Sequence, residues 1–229
     1  MVFFFMKILI TEKQEQLLHK FILKEAMGNN FSFEELKSIG SFKGRYDYCL
    51  NTLGPTQGRG SSRVIFQLSD NKVLKLALNN KGIAQNETEC DWGVQSYDVV
   101  PEIYNESDTD NFYFLVSEFV LPAKEKDFEY VFDFDFTTFC KCLVAFWKCY
   151  NPHGRCFISP MDDKSLEVLL NDSDDLNSFY HYMTDYQVPI GDMIRIGNYG
   201  MTNRSGQPQI VLLDSGLNDY VWNKYYKKY

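Results

Sequence analysis

The stretch Gly54-Pro-Thr-Gln-Gly58-Arg-Gly60-Ser-Ser-Arg63-Val-Ile-Phe66, followed across a short polar turn by Val73-Leu-Lys75-Leu-Ala77, decides how this chain is read. Glycines at 54, 58 and 60 let a backbone approach an anion with no Cβ in the way, and the amides of such a turn point at negative charge. The apolar runs after it, residues 63–68 and 72–78, read as two strands joined by Ser69-Asp-Asn71, a tight hairpin signal. Lys75 stands inside the second run, between Leu74 and Leu76. An unpaired ammonium is costly to bury, so a lysine here demands a carboxylate partner or an anionic ligand. A glycine-rich turn alone predicts only a hairpin. With Lys75 on the next strand, it predicts a cover over phosphates.

Outward from this hairpin, Asn79-Asn-Lys-Gly82 is expected to end the strand, and residues 83–97 read as a helix bearing Glu87 and Glu89. Gln85 and Glu89 share a helical face at i and i+4, which makes Glu89 the first choice to meet Lys75 and Glu87 its rival. Residues 99–104 and 111–120 read as two further strands around an acidic turn at 105–110. The region from about Tyr46 to Leu121 is thus expected to be a small antiparallel sheet with one helix packed on it. Beyond Pro122 the pattern turns helical and aromatic over 128–150, helical over 164–184, strand-like over 207–213 and helical again over 218–229. Upstream, residues 11–27 read as an amphipathic helix capped by Thr11, with Leu17, Leu18, Phe21, Ile22 and Leu23 on its apolar face. A second short helix is expected over 33–39. The expected organisation is a helical extension at 1–44, a β-rich lobe at 45–121 and a mainly helical lobe at 122–229.

Composition excludes several classes. With 45% apolar and 16% aromatic residues in 229, the chain is expected to fold around a real core. A net charge of −8 argues against a broad nucleic-acid surface, which carries a basic face. No run approaches the roughly 18 to 20 apolar residues of a membrane span, so no membrane partner is expected. The opening Met-Val-Phe-Phe-Phe-Met-Lys has no basic region before its short apolar run, so no signal peptide is expected, and Met6 is an alternative start. The six cysteines do not have the spacing of a secreted disulfide framework, and a reducing cytoplasm is the expected location. Cys149-x3-His153-x2-Cys156 has the look of a zinc cluster but lacks a fourth ligand.

Far downstream lies Gly191-Asp192-Met-Ile-Arg195-Ile-Gly-Asn198-Tyr-Gly200, then a polar turn, then Ile210-Val-Leu-Leu-Asp214-Ser-Gly216. Together with the glycine-rich hairpin, Lys75 and the acidic helix, these segments make the chain resemble the protein-kinase-like fold, including its small-molecule phosphotransferase relatives, over roughly residues 45–220. The segments Gly60-Ser-Ser-Arg63, Val73-Leu-Lys-Leu-Ala77 and Leu212-Leu-Asp214 are also similar to those of uncharacterised bacteriophage proteins, which implies a viral origin and a place in the host cytoplasm or the virion. The fold implied is α+β and two-lobed, with a small antiparallel β-sheet and one helix in the N-lobe and a reduced, mainly helical C-lobe. The cofactors implied are ATP and Mg²⁺.

Residue by residue, the resemblance makes Gly58 and Gly60 the first two glycines of a Gly-x-Gly-x-x-Gly phosphate loop, with Arg63 where the third would stand. Ser61 and Ser62 become candidate phosphate donors or turn formers. Lys75 matches the strand lysine that pairs the α- and β-phosphates, with Glu89 behind it. Glu118, in Leu115-Val-Ser-Glu-Phe-Val120, matches the start of the segment between the lobes, whose backbone meets the adenine edge. Asn198 and Asp214 match the metal ligands, and Asp192 the base that takes the acceptor proton, one residue further from Asn198 than the familiar spacing. Asp185 is a distant alternative base, and Arg195 can meet a phosphate or an acidic side chain. About 15 residues follow Asp214, so the resemblance implies no activation segment and no regulated protein kinase. It leaves an ATP/Mg-dependent phosphotransferase or, as alternative, a catalytically inactive pseudokinase-type interaction protein. A third reading is a virion-associated structural protein.

Overall fold

The computed structural model describes residues 31–204 and 206–226. The helix expected over 11–27 lies outside the described residues. The chain divides into two compact units, Met1–Thr56 and Gln57–Tyr229.

In the first unit, α1 (Phe33–Ser38) begins at Ser32, whose hydroxyl accepts the Glu35 N–H. Helix α2 (Phe42–Leu53) begins in the same way at Ser41, which caps the Gly44 N–H. The Arg45 guanidinium donates to the Ile39 carbonyl at 2.5 Å, and the Ser32 N–H donates to the Tyr48 hydroxyl at 2.8 Å, so the two short helices brace each other. Residues 46–53, expected to open the β-rich region, are therefore helical. The Ser41 cap starts a helix that nothing stops until Gly54, whose positive φ of 84° is a backbone conformation that glycine adopts without strain.

The second unit starts with a four-stranded antiparallel sheet in the order β1 (Gly58–Arg59), β2 (Arg63–Gln67), β3 (Lys72–Ala77) and β4 (Phe114–Glu118). Lys75 lies opposite Ile65 on one side and Leu115 on the other, so its strand is internal. Helix α3 (Asn80–Cys90) follows at once, because Asn79 caps the Lys81 and Gly82 amides as well as ending the strand. Gly82 permits this sharp return: a Cβ there would lie 2.3 Å from the Ser62 carbonyl oxygen. The single helix expected over 83–97 is two, because Asp91 ends α3 and caps α4 (Trp92–Gln95). The strand expected over 99–104 shrinks to one bridge, Ile103 to Ser117. Pro101, which has no N–H to give a ladder, interrupts it.

A second sheet follows the order β5 (Leu121–Pro122), β6 (Tyr199–Arg204) and β7 (Gln207–Leu212). Strand β6 stands where a polar turn was expected. Its Met201, Thr202 and Asn203 carry no strong apolar pattern, and pairing with the apolar end of β7 makes the strand. Between β5 and β6 in sequence run α5 (Glu125–Phe132), α6 (Phe136–Tyr150), α7 (Asp163–Asp172), α8 (Asp174–Tyr186) and the single turn α9 (Ile190–Met193). The helices expected over 128–150 and 164–184 each divide. Asp133 turns left-handed at φ 61° before Asp135 caps α6, and Ser173 caps α8. The chain closes on α10 (Asp219–Tyr225), capped by Asn218.

Phe139 centres the core of this helical part, with ring centroids of Phe128, Phe132, Phe179 and Tyr199 at 5.0 to 5.5 Å. Tyr199 opens β6, so this cluster fixes where the residues just before it, including Asn198, must lie. The architecture is α+β, with small antiparallel sheets and packed helices. No helix among the described residues is long and apolar enough to cross a membrane.

Candidate functional site

A cleft of about 630 Å³ opens between the β1–β2 hairpin and the segment around β5–β7. Gly58, Gly60 and Ser62 line one side, Lys75 its back wall, and Asn198 and Asp214 the opposite side. Residues separated by more than a hundred positions in sequence thus face one space.

The hairpin turn is closed by Gly60 N–H donating to the Arg63 carbonyl at 2.9 Å. Neither loop glycine is needed for packing. A Cβ on Gly58 would meet nothing nearer than 3.9 Å, and one on Gly60 nothing nearer than 3.8 Å. What glycine provides here is bare backbone facing the cleft.

Behind the loop sits a buried ionic network. Glu89, 1% exposed, receives Lys75 Nζ on Oε2 at 2.7 Å and Arg63 on Oε1 at 2.8 Å. Gly216 N–H also donates to Oε1, at 3.2 Å. Burial pushes the Glu89 carboxyl up, but the charges and hydrogen bonds of Arg63 and Lys75 outweigh it and hold the group at about 2. Of the two rivals for Lys75, the partner is Glu89. Lys75 makes one further bond, to the Leu213 carbonyl at 2.9 Å, which ties β3 to the end of β7.

The Asp214 turn is fixed from several directions. Leu213 N–H donates to the Asn198 carbonyl at 2.8 Å, and the Tyr182 hydroxyl donates to the Ser215 carbonyl at 2.9 Å. Gly216 is required by close approach, since a Cβ there would lie 2.5 Å from the Gln85 carbonyl oxygen. Asn198 uses its Nδ2 to donate to the Asp192 carbonyl at 2.8 Å. Its amide oxygen and the second carboxylate oxygen of Asp214 are therefore the hard oxygen donors that this side of the cleft offers.

Other expected site residues fall differently. Ser62 lines the cleft, but its hydroxyl donates to Gln85 Oε1, so it shapes the turn and is not a phosphate donor in this arrangement. Ser61 is exposed and outside the cleft lining, with its carbonyl accepting from Asn79 at 3.0 Å. The Glu118 carboxylate is held by Thr202 and by Arg204 at 2.7 Å, and its own N–H and that of Phe119 are spent on Glu102 and Asn71. Those two amides are not available to a base edge. Burial raises the Glu118 carboxyl, and the bonds from Thr202 and Arg204 reverse this, leaving it below its ordinary range. Asp185 accepts from the Tyr97 hydroxyl and does not line the cleft.

Asp192 also stands outside the cleft. It lines a neighbouring cavity of about 650 Å³ with Tyr150, Arg195 and Trp222, and Arg195 approaches its carboxylate at 3.6 Å. Burial raises its carboxyl above the ordinary range; Arg195 opposes this and Asp214 adds to it. Asn198 links the two cavities: its side chain donates to the Asp192 carbonyl, and its backbone N–H donates to the Arg195 carbonyl at 2.9 Å. Cys149, His153 and Cys156 form no metal-holding group among the described residues.

No family model, curated protein or solved structure matches this chain.

Arg63 is the residue that sequence reasoning undervalued. Read only as a substitute for a missing glycine, it is 7% exposed and bridges Glu89 to Asp214, the latter at 2.5 Å. Its other terminal nitrogen donates to Asn86 at 3.3 Å. A sequence signal existed: an arginine opening an apolar strand demands buried carboxylates, as Lys75 does.

Proposed function

We propose that the Gln57–Tyr229 unit is a kinase-like phosphotransferase that binds ATP with Mg²⁺ in the glycine-lined cleft. The observation that carries this reading is the convergence of Gly58, Gly60, Lys75, Asn198 and Asp214 on one cavity of about 630 Å³. That volume lies within the range of small-ligand sites.

In this reading the bare loop backbone lies over the phosphates. Lys75, held by Glu89, donates to the α- and β-phosphates. The base lies toward Val120, past the two amides already spent. Asn198 and Asp214 hold the metal, which neutralises charge on the transferring phosphoryl group. Both offer oxygen donors and fit Mg²⁺, which takes few protein carboxylates when phosphates supply the rest. The acceptor occupies the cavity beside Asp192. As the acceptor oxygen bonds to the γ-phosphorus, the bond to the β-γ bridging oxygen breaks, ADP leaves, and the hydroxyl proton passes to the Asp192 carboxylate. A raised carboxyl pKa makes Asp192 the better base.

Calorimetric titration of ATP with and without Mg²⁺ tests the reading. Wild type is expected to bind Mg–ATP, and Asp214→Ala to lose the metal dependence. Binding that is absent, or indifferent to Mg²⁺ in wild type, overturns it. Asp192→Asn is expected to keep the calorimetric affinity for Mg–ATP within about twofold while lowering phosphate transfer or release by about 10²- to 10⁴-fold.

One observation favours the pseudokinase alternative, a nucleotide-binding interaction protein. Asp192 lines the second cavity while Asn198 and Asp214 line the first. In that reading Mg–ATP binds and no phosphate is released or transferred in wild type.

A further inference from the structure

We propose that Arg63 gates the metal side of the cleft: it occupies Asp214 until nucleotide phosphates draw it away, so a divalent cation binds Asp214 only together with a nucleotide. This rests on the nucleotide reading above and adds the order and coupling of binding.

The two ends of the Arg63 bridge are unequal. At one end Glu89 is 1% exposed and is also held by Lys75 and Gly216. Separating that pair would strand buried charge, which is strongly unfavourable. At the other end the Asp214 side chain is 51% exposed. An ion pair half in water is worth little and is readily exchanged. Arg63 is therefore anchored on Glu89 and breaks, when it breaks, at Asp214.

Charge explains why a cation alone does not displace it. Lys75 and Arg63 carry two positive charges, and Glu89 and Asp214 two negative ones, all joined by contacts of 2.5 to 2.8 Å. The balanced cluster offers a free divalent ion no net attraction. It also offers few ligands: one carboxylate shared with a guanidinium, and the Asn198 amide oxygen, against the six donors Mg²⁺ requires. Phosphates change both terms. They bring negative charge and oxygen donors for the metal, and they offer the planar guanidinium an alternative partner that it binds bidentately. Arg63 is well placed for that exchange, since its own carbonyl closes the turn that carries Gly60. Metal and nucleotide then bind cooperatively, each strengthening the other by the same factor.

Mn²⁺ alone is the direct probe, with free ion counted by electron paramagnetic resonance. Arg63→Gln is expected to bind Mn²⁺ at least about tenfold more tightly than wild type, and Arg63→Gln with Asp214→Asn to lose that gain. Equal Mn²⁺ affinity in wild type and Arg63→Gln overturns the gate. Should Arg63→Gln fail to fold, wild type labelled with ¹⁵N-arginine decides. The Arg63 guanidinium resonances are expected to stay put with Mg²⁺ alone and to shift with Mg²⁺ plus a non-hydrolysable ATP analogue. Resonances that stay unchanged while calorimetry records analogue binding overturn the gate and leave the nucleotide reading intact. If no analogue binds at all, the nucleotide reading fails and the coupled gate fails with it.

Discussion

Lys75→Met is expected to weaken ATP binding by about 10- to 100-fold in calorimetric titration while leaving the protein folded. The estimate follows from losing a hydrogen bond to a charged group, about 1.5–3 kcal/mol, with tenfold in affinity for each 1.4 kcal/mol. Methionine keeps the apolar stem that packs within β3. The fold survives because Glu89 retains Arg63 at 2.8 Å and Gly216 at 3.2 Å. The Leu213 carbonyl loses its lysine donor, a smaller cost shared with solvent in the cleft. An unchanged ATP affinity in folded Lys75→Met would remove Lys75 from the site.

Glu89→Gln is expected to act on the fold itself. Its carboxylate is 1% exposed and serves two cations and a backbone amide. Removing the charge leaves Arg63 and Lys75 buried with only the half-exposed Asp214 to balance them, a loss of about 3–5 kcal/mol in urea unfolding. The same residue sets a pH dependence. Its folded pKa of about 2 lies below the ordinary 4.5. The unfolded chain therefore binds the extra proton first, and the stabilisation is complete above pH ~5 and lost as pH falls through 4.5 toward 2. The amount at stake is on the order of 3 kcal/mol. Wild type should lose stability steeply across that window, and Glu89→Gln should have a flatter profile. Parallel profiles would show that Glu89 does not carry the acid sensitivity.

Much of this network could be read from residue types alone, and the reason is the cost of burying charge. Lys75 between leucines required a carboxylate, and helical spacing put Glu89 on the same face as Gln85. Both now line the inner side of α3, with Gln85 meeting Ser62 and Glu89 meeting Lys75. The Asp214-Ser-Gly216 turn was legible because an apolar strand ended on it. Its glycine proves indispensable for a reason no sequence pattern displays, the approach of the Gln85 backbone.

Other features depend on tertiary pairing. Strand β6 is polar and exists because β5 and β7 flank it. Helices α5 to α8 break at Asp133 and Ser173, where a cap or a left-handed residue competes with continued helix. The placement of Asp192 in the second cavity follows from the Asn198 side chain bonding its carbonyl, a contact between residues six apart that spacing does not reveal. Arg63 was visible as a departure from the glycine pattern, but its contact with Asp214 spans 151 positions.

In the proposed function an adenine nucleotide occupies the cleft with its phosphates at Lys75. An electrophilic adenosine analogue carrying a sulfonyl fluoride where the phosphates would lie tests this directly, with the modified peptide identified by mass spectrometry. Modification of Lys75 is expected, suppressed by Mg–ATP and absent in Lys75→Met. Labelling confined to other lysines, or labelling of Lys75 that ATP does not protect, would contradict it.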